Sequence, residues 1–427
     1  MRTLTDPSAR LRSLTGLRFV AALAVFVCHA ALVTAPEGGS APVVLFLLGP
    51  VGVSLFFVLS GFVLAYSARG TDTAKAFWWR RVTKIYPSHL VVWAGCMLLF
   101  RAAGMPRIGN GLPYVTPGLP GDLTNALLLN TLVPRPDFFT GGNDVTWSLT
   151  CELLFYLLFP LLYPVVARIR PRRLPAAAAG AVAAAWTVPL VALGLGGRPL
   201  PGGFLGGDIT EIQLGVVYAF PPARLPEFVL GMVLARLHLH GCAARVGLLP
   251  SVALVAACLL TGIAVLPRPF LLAAATLMPV ALIVRTVATS EARGTLPWLR
   301  TPAAVLLGEV SYAFYLIHRP ALAAVEHYGN RGTAATVCGG LLLALPASWL
   351  LYVLVERPCC TRWARSGRRP PPARTPAAAE CRCPEPLPDA RVSLTDASRE
   401  RGPSRERGPS RRRRSARRPK REGRPDR

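Results

Sequence analysis

The chain has 427 residues, 52% hydrophobic and only 16% charged, with a positive mean hydropathy of +0.41 and a formal net charge of +26. This apolar excess excludes an ordinary soluble globular domain. A charge of that size would point to nucleic acid in a soluble protein, but 21 Lys and Arg against 8 Asp and Glu lie between Thr361 and Arg427, so half of it belongs to one terminal segment. No specific nucleic-acid partner is expected.

A hydrocarbon layer about 30 Å thick is crossed by roughly 20 mainly apolar residues. Such runs occur near 14–33, 43–66, 85–102, 145–165, 177–195, 224–238, 247–264, 269–287, 302–323 and 333–355. The expected fold is all-α: a polytopic integral membrane protein of about ten transmembrane helices with a disordered basic C-terminal tail. Residues 1–10 form a short cytoplasmic N-terminus, 11–358 the membrane domain and 359–427 the Arg/Pro/Ser-rich tail. The first run has no small-residue cleavage site after His29 and is expected to be retained. The sixth is interrupted at its start by Pro221, Pro222 and Pro226. The ten cysteines contain no C-x-x-C pair, and Cys28, Cys96, Cys151, Cys258 and Cys338 lie in or beside apolar runs. They read as packing residues, with no metal site expected.

An even number of spans puts both termini on one side. With the N-terminus inside, 17 Lys and Arg precede the tail on the inner side and eight fall outside. The positive-inside bias therefore places both termini in the cytoplasm and the protein in the cell membrane. The longest loop, 103–144, falls outside, and loops of that length often act as lids or binding surfaces. The tail, with its repeated Arg-Glu-Arg-Gly-Pro-Ser, reads either as solvated charge or as a contact for anionic lipid headgroups.

Charges inside spans cost roughly 2.5–3.5 kcal/mol on insertion scales, so each asks for a reason. Arg18 and His29, eleven residues apart, are three turns plus about 20° apart and share a face of the first helix, separated by about 16 Å along its axis. Arg18 either snorkels to the inner headgroups or serves a substrate. His29 is either bonded to a neighbouring helix or a general base. Glu152 and Tyr156, four apart, share a face of the fourth span, where the carboxylate either partners a hydroxyl or orients a catalytic His or acceptor. Arg224 and Glu227 form either an ion pair or a substrate clamp, and His318 closes the ninth span. The topology gathers His29, Glu152, Arg224, Glu227 and His318 in the outer half. Arg18, Arg80, Arg81 and Lys84 lie inside, where a basic cluster suits the phosphates of a nucleotide-bearing donor.

At these residues the chain resembles the acyltransferase 3 family of membrane O-acyltransferases, from about Leu11 to Pro358. Leu14-Thr15-Gly16-Leu17-Arg18 with His29 is similar to the family's Arg-x10-His signature, and Gly52 to Phe62 to its second-helix motif. Arg80-Arg81-Val82-Thr83-Lys84-Ile85-Tyr86-Pro87 resembles its inner basic motif, and Trp147-Ser148-Leu149 through Glu152 its fourth-helix motif. Ser311-Tyr312 to His318 and Val355-Glu356-Arg357-Pro358 resemble the family ending. Lys84 stands where the family usually has Arg, Glu309 where it commonly has a basic residue, and Ser54 where it commonly has an acidic one.

The resemblance implies ten membrane helices, an acyl-CoA co-substrate entering from the cytoplasm, no bound cofactor, and transfer of a short acyl group to a hydroxyl. The acceptor would be a carbohydrate, a lipid-linked sugar or a hydroxylated natural product such as a macrolide. It implies essential roles for Arg18, His29, Arg81 and Glu152. On this reading His29 takes the proton of the acceptor hydroxyl, Glu152 orients it or the acceptor, and Arg18 faces the thioester end of the donor. Arg80, Arg81 and Lys84 bind donor phosphates, while Tyr156, Arg224, Glu227 and His318 are candidates for the acceptor site. The alternative from another class is a proton-coupled transporter or flippase of a lipid-linked sugar, because intramembrane His, Arg and Glu also mark proton relays. The alanine- and arginine-rich composition fits a high-GC bacterium.

Overall fold

The computed structural model describes residues 11–35, 42–68, 73–105, 118–132, 136–139, 141–200, 209–329 and 332–366. Among them there is no strand beyond an isolated bridge between Pro199 and Thr210. In hydrocarbon the backbone must satisfy its own hydrogen bonds, and a helix does so within one segment. The helices are α1 (Arg12–Val33), α2 (Val43–Ser67), α3 (Ala74–Met97), α4 (Leu119–Ala126), α5 (Pro136–Phe139), α6 (Trp147–Ala167), α7 (Leu174–Leu193) and α8 (Glu211–Leu214). They continue with α9 (Pro221–Leu239), α10 (Leu248–Val265), α11 (Arg268–Leu271), α12 (Ala274–Arg293), α13 (Pro302–Gly329), α14 (Thr333–Leu351) and α15 (Arg357–Ser366).

Eight helical stretches among the described residues are long and apolar enough to cross a membrane: Arg12–Val33, Val43–Ser67, Ala74–Ala102, Asp144–Ala167, Pro171–Leu193, Leu248–Val265, Arg268–Glu291 and Thr333–Arg362. With the family match described below, they make this a multi-pass membrane protein. The other two apolar runs of the sequence correspond to α9 and α13, which are long enough but too polar to count with the eight. Their polarity is turned inward: α9 buries Arg224, Glu227 and His238, and α13 buries Ser311, His318 and Arg319. Helix α9 packs against α2, α6, α7 and α12, and α13 against α1 and α14. Charge that would be costly against lipid is thereby placed against protein.

The tightest packing uses glycine where another residue would collide with backbone. A Cβ on Gly61 of α2 would lie 2.0 Å from the Phe228 carbonyl oxygen of α9, and one on Gly231 of α9 would lie 2.1 Å from the Val58 carbonyl oxygen of α2. Close backbone approach through small residues is the common glue of membrane helices. Because the obstructing atoms are backbone, Gly231→Val should separate α2 from α9 and destabilise the protein by about 1–3 kcal/mol, the usual cost of overpacking. Thermal denaturation of the detergent-purified protein reads this. An unchanged midpoint would show that the two helices are not held at this distance.

Two boundaries differ from the sequence expectation. Helix α3 begins at Ala74 rather than near residue 85, so Arg80, Arg81 and Lys84 are helical residues within it. The Thr73 side chain caps it by accepting from the Ala76 N–H at 3.2 Å, and the Trp78 indole donates to the Tyr156 carbonyl at 3.1 Å, tying its first turns to α6. At the other end, Tyr352–Glu356 is a π-helical turn, and helix resumes through Ser366, beyond Pro358 where the tail was expected to begin. The remainder of the tail, 367–427, lies outside the described residues.

Parts of the expected outer loop 103–144 are stitched onto the helices. Asp122 accepts from the Gly142 N–H at 2.7 Å and from Arg101 Nε at 2.8 Å, while Trp93 Nε1 donates to the Asp122 carbonyl at 2.9 Å. Asn125 donates to Thr146 Oγ1 at 2.8 Å, and Asn143 donates to the Leu316 carbonyl of α13 at 2.8 Å. Residues 106–117, 133–135 and 140 of this loop lie outside the described residues. Of the cysteines read as packing residues, Cys28, Cys96 and Cys151 are buried, Cys258 is partly covered and Cys338 is exposed.

Candidate active site

Arg18 and His29 project from one face of α1 as their spacing requires, and the structure gives each its own company. At Arg18 the neighbouring charges come from α3 and from the turn Tyr352–Glu356. Lys84 of α3 lies within electrostatic reach of Arg18, Arg81, Glu356 and Glu152, and Glu356 within that of Lys84, Arg18 and Glu309. Arg18, Arg81 and Lys84 are half-buried, whereas Glu356 is 5% exposed and its Oε2 has no hydrogen-bond partner. Arg80 is half-buried, one position before Arg81 and turned about 100° from it. Three cations therefore meet at this end, with Glu356 within electrostatic reach of Lys84 and Arg18, an excess of positive charge that suits an anion.

Arg81 reaches further along the same line. Its guanidinium lies 5.4 Å from the ring centre of Phe77 and 5.5 Å from that of Tyr156, within cation–π range. The Tyr156 hydroxyl donates to Glu152 Oε1, which also accepts from Ser60 Oγ of α2 at 3.3 Å. Glu152 is half-buried, so part of its surface stays open to a ligand. Its bonded partners are Ser60 and Tyr156, and it thereby sits with the Arg81 group rather than against the His29 ring. Tyr156, a candidate for the acceptor site, is in this cluster too.

The His29 end is built from α1, α13 and the segment leading into α6. His29 Nδ1 is 2.9 Å from His318 Nε2, and His318 Nδ1 is 3.2 Å from the Phe314 carbonyl one turn back on α13. Around them, Tyr315 donates to the Val145 carbonyl at 3.0 Å and shares a 2.7 Å hydrogen bond with Ser148, while Arg319 pairs with Asp144 at 3.2 Å. His318 is fully buried, but His29 is half-buried. Of the two, His29 is the more exposed.

Arg224 and Glu227 form a third group. Arg224 is fully buried and Glu227 is 1% exposed, with 3.0 Å between Nη2 and Oε1. The guanidinium also donates to Ser54 Oγ at 3.2 Å and to the Leu272 carbonyl at 3.4 Å, and it lies over the rings of Phe57 and Tyr218. Of the two readings left open by the sequence, ion pair or substrate clamp, this geometry is that of an ion pair. Ser54 completes it with a hydroxyl.

The structure thus joins Arg18 with Arg81 and Lys84, Glu152 with Tyr156, and His29 with His318, and sets Arg224 and Glu227 apart. Sequence reading passed over Ser60 as a carboxylate partner, Glu356 as a counter-charge, and Tyr315, Arg319 and Asp144 as the frame of His318. Their signal was the i, i+3 and i, i+4 spacing of Tyr315, His318 and Arg319, which puts a tyrosine, an imidazole and a guanidinium on neighbouring positions of one helix.

Comparison with known proteins agrees with this chemistry. The family model described as an acyltransferase domain, acyltransferase 3, matches residues 11–353. The acyltransferase MdmB of Streptomyces mycarofaciens is 38% identical over 388 residues, covering 86% of this chain and 95% of that protein. The exopolysaccharide production protein ExoZ of Rhizobium meliloti (strain 1021) is 28% identical over 330 residues, covering 74% of this chain and 91% of that protein. No solved structure matches the chain.

Proposed function

Because the chain belongs to the acyltransferase 3 family, we propose that it transfers a short acyl group, acetyl or a close homologue, from acyl-CoA to a hydroxyl of a carbohydrate, a lipid-linked sugar or a hydroxylated natural product. The observation that carries this reading is the group of half-buried Arg18, Lys84 and Arg81 with Glu152 and Tyr156, together with half-buried His29 on the face of α1 that carries Arg18. One end is cationic and the other ends in an imidazole. All ten long helices cross the membrane in this account, α9 and α13 included, with both termini in the cytoplasm.

The donor enters from the cytoplasmic side. Arg18, Arg81 and Lys84 hold its phosphates, with Arg80 at the entrance, and the pantetheine arm runs along the line toward His29. His29 removes the proton from the acceptor hydroxyl as its oxygen attacks the thioester carbonyl. The C–O bond forms, the C–S bond breaks, and the thiolate of CoA takes up the proton, giving ester and free CoA. Glu152, shared by Ser60 and Tyr156, lines the route between the donor cations and His29. The name of the ExoZ relative supports a polysaccharide acceptor. The basic tail adds contact with anionic lipid.

Arg81→Ala should weaken CoA binding about 10- to 100-fold, the value of one or two hydrogen bonds to a charged group, and leave acceptor affinity unchanged. Isothermal titration of the purified protein with CoA reads the first. Equal loss of donor and acceptor binding would make Arg81 structural. The acceptor is identified by mass spectrometry of envelope glycans and secreted metabolites with and without the gene. A missing acyl mass increment names both partners, and identical profiles under conditions where the gene is expressed would contradict the proposal.

A further inference from the structure

The two imidazoles at the outer end are not equivalent, and their hydrogen bonds say how. A carbonyl oxygen can only accept, so the 3.2 Å contact between His318 Nδ1 and the Phe314 carbonyl puts the hydrogen of His318 on Nδ1. A neutral imidazole carries one N–H, which leaves a lone pair on His318 Nε2. The 2.9 Å bond between the rings must then be donated by His29 Nδ1. The remaining nitrogen of His29, Nε2, is left with its lone pair.

Exposure and packing point the same way. His318 is fully buried, with ring centres of Phe314, Tyr315 and Phe26 at 5.9, 5.7 and 6.4 Å. Its helix is pinned on either side of it, at Tyr315 by Val145 and Ser148 and at Arg319 by Asp144. His318 can neither meet a substrate nor turn easily. His29 is half-buried, and its other described hydrogen-bond partner is the Val25 backbone one turn back on α1.

We propose that His318 is the positioning residue of the transfer reaction: it holds His29 in the one tautomer that presents a lone pair at Nε2, and the Phe314 carbonyl sets that tautomer through it. This rests on the reading of His29 as general base. When His29 accepts the acceptor's proton at Nε2, its Nδ1–H bond to His318 becomes charge-assisted and strengthens. The orienting partner is a neutral ring rather than a carboxylate, so His29 gains direction without a full counter-charge, and the proton remains available to the departing thiolate.

The test uses the full-length purified protein and acetyl-CoA, with three substitutions at His318. His318→Ala removes the acceptor of the Nδ1–H bond and should lower kcat about 100-fold, within the range general-base catalysis contributes, while KM for acetyl-CoA stays within about twofold because the donor cations are on other helices. His318→Gln places an amide oxygen near the position of Nε2 and should recover kcat to within about tenfold of the unaltered protein. His318→Asn, one methylene shorter, should stay near the alanine level. Equal losses in all three, accompanied by loss of CoA binding, would make His318 structural and overturn the proposal. Unaltered kcat in all three, with His29→Ala inactive, would overturn the proposal and leave the base reading standing. An active His29→Ala protein would remove the premise itself.

Discussion

His29→Ala should abolish measurable acyl transfer while CoA still binds. The expected loss in kcat is about 10²- to 10⁴-fold, the contribution of a positioned general base, or roughly 2.7–5.5 kcal/mol of barrier at 1.36 kcal/mol per decade. Folding should survive, because His29 is half-buried and the described polar contacts of its ring are two, the 2.9 Å bond to His318 and one to the Val25 backbone a turn back on α1. CoA affinity should also survive, because the cations that meet the donor are about 16 Å away along α1 or on α3. Single-turnover transfer from radiolabelled acetyl-CoA, read beside a CoA titration, separates the two quantities. Retained transfer would remove the imidazole from the chemistry, and lost CoA binding would make His29 part of the donor site.

Glu227→Ala should cost about 3–5 kcal/mol of stability, the usual result of leaving one member of a buried ion pair without its partner. Arg224 has no exposed surface, and its Nε already lacks a hydrogen-bond partner, so the charge has no route to water once the carboxylate is gone. Its remaining contacts, Ser54 Oγ, the Leu272 carbonyl and the faces of Phe57 and Tyr218, are neutral. Replacing both partners, Arg224→Met with Glu227→Leu, should recover most of the loss, because apolar groups of similar volume need no counter-charge. Thermal denaturation of the single and double variants forms a mutant cycle. A double variant as unstable as Glu227→Ala would show that the charges contribute more than each other's neutralisation. A double variant that is stable and still transfers acyl groups would confine Arg224 and Glu227 to a structural role.

What was legible in the sequence follows from where the bilayer acts. The eight apolar helices declare themselves because twenty consecutive apolar residues have few other uses. Helix α9 was harder to see, since Pro221, Pro222, Arg224, Pro226 and Glu227 crowd its first turns, and only its packing against α2 and α12 shows where that polarity goes. The start of α3 was hidden because Lys75, Arg80, Arg81 and Lys84 interrupt the apolar run there, although these residues are helical. The Arg18 to His29 spacing fixed a shared face, but not the partners on it. His29 and His318 are 289 residues apart, and their bond requires α1 and α13 to pack in one register. Of the readings left open for Glu152, a hydroxyl partner or the orientation of a histidine or acceptor, the structure shows hydroxyl partners: Tyr156 at the legible i, i+4 spacing, and Ser60 across an α2–α6 contact that no local spacing encodes.

The same reasoning applies to the described part of the loop 103–144, whose length suggested a lid or binding surface. Its Asp122, Asn125 and Asn143, with Thr146 just beyond, have the composition of a solvated loop, yet all four are buried and hydrogen-bonded to each other, to Arg101 or to α13. Polar residues in a membrane protein are thus ambiguous until the solvent at their depth is known. Here they stitch the connecting segment to the helix that carries His318, the partner of His29.

The central claim, acyl transfer from CoA, is tested most directly by measuring free thiol and acyl ester together in purified protein given acetyl-CoA and the acceptor found by mass spectrometry. The account predicts one CoA thiol released for each ester formed, both absent in His29→Ala. Uptake or flipping of a lipid-linked sugar by the reconstituted protein, with no thiol released from acetyl-CoA, would contradict it and establish transport instead.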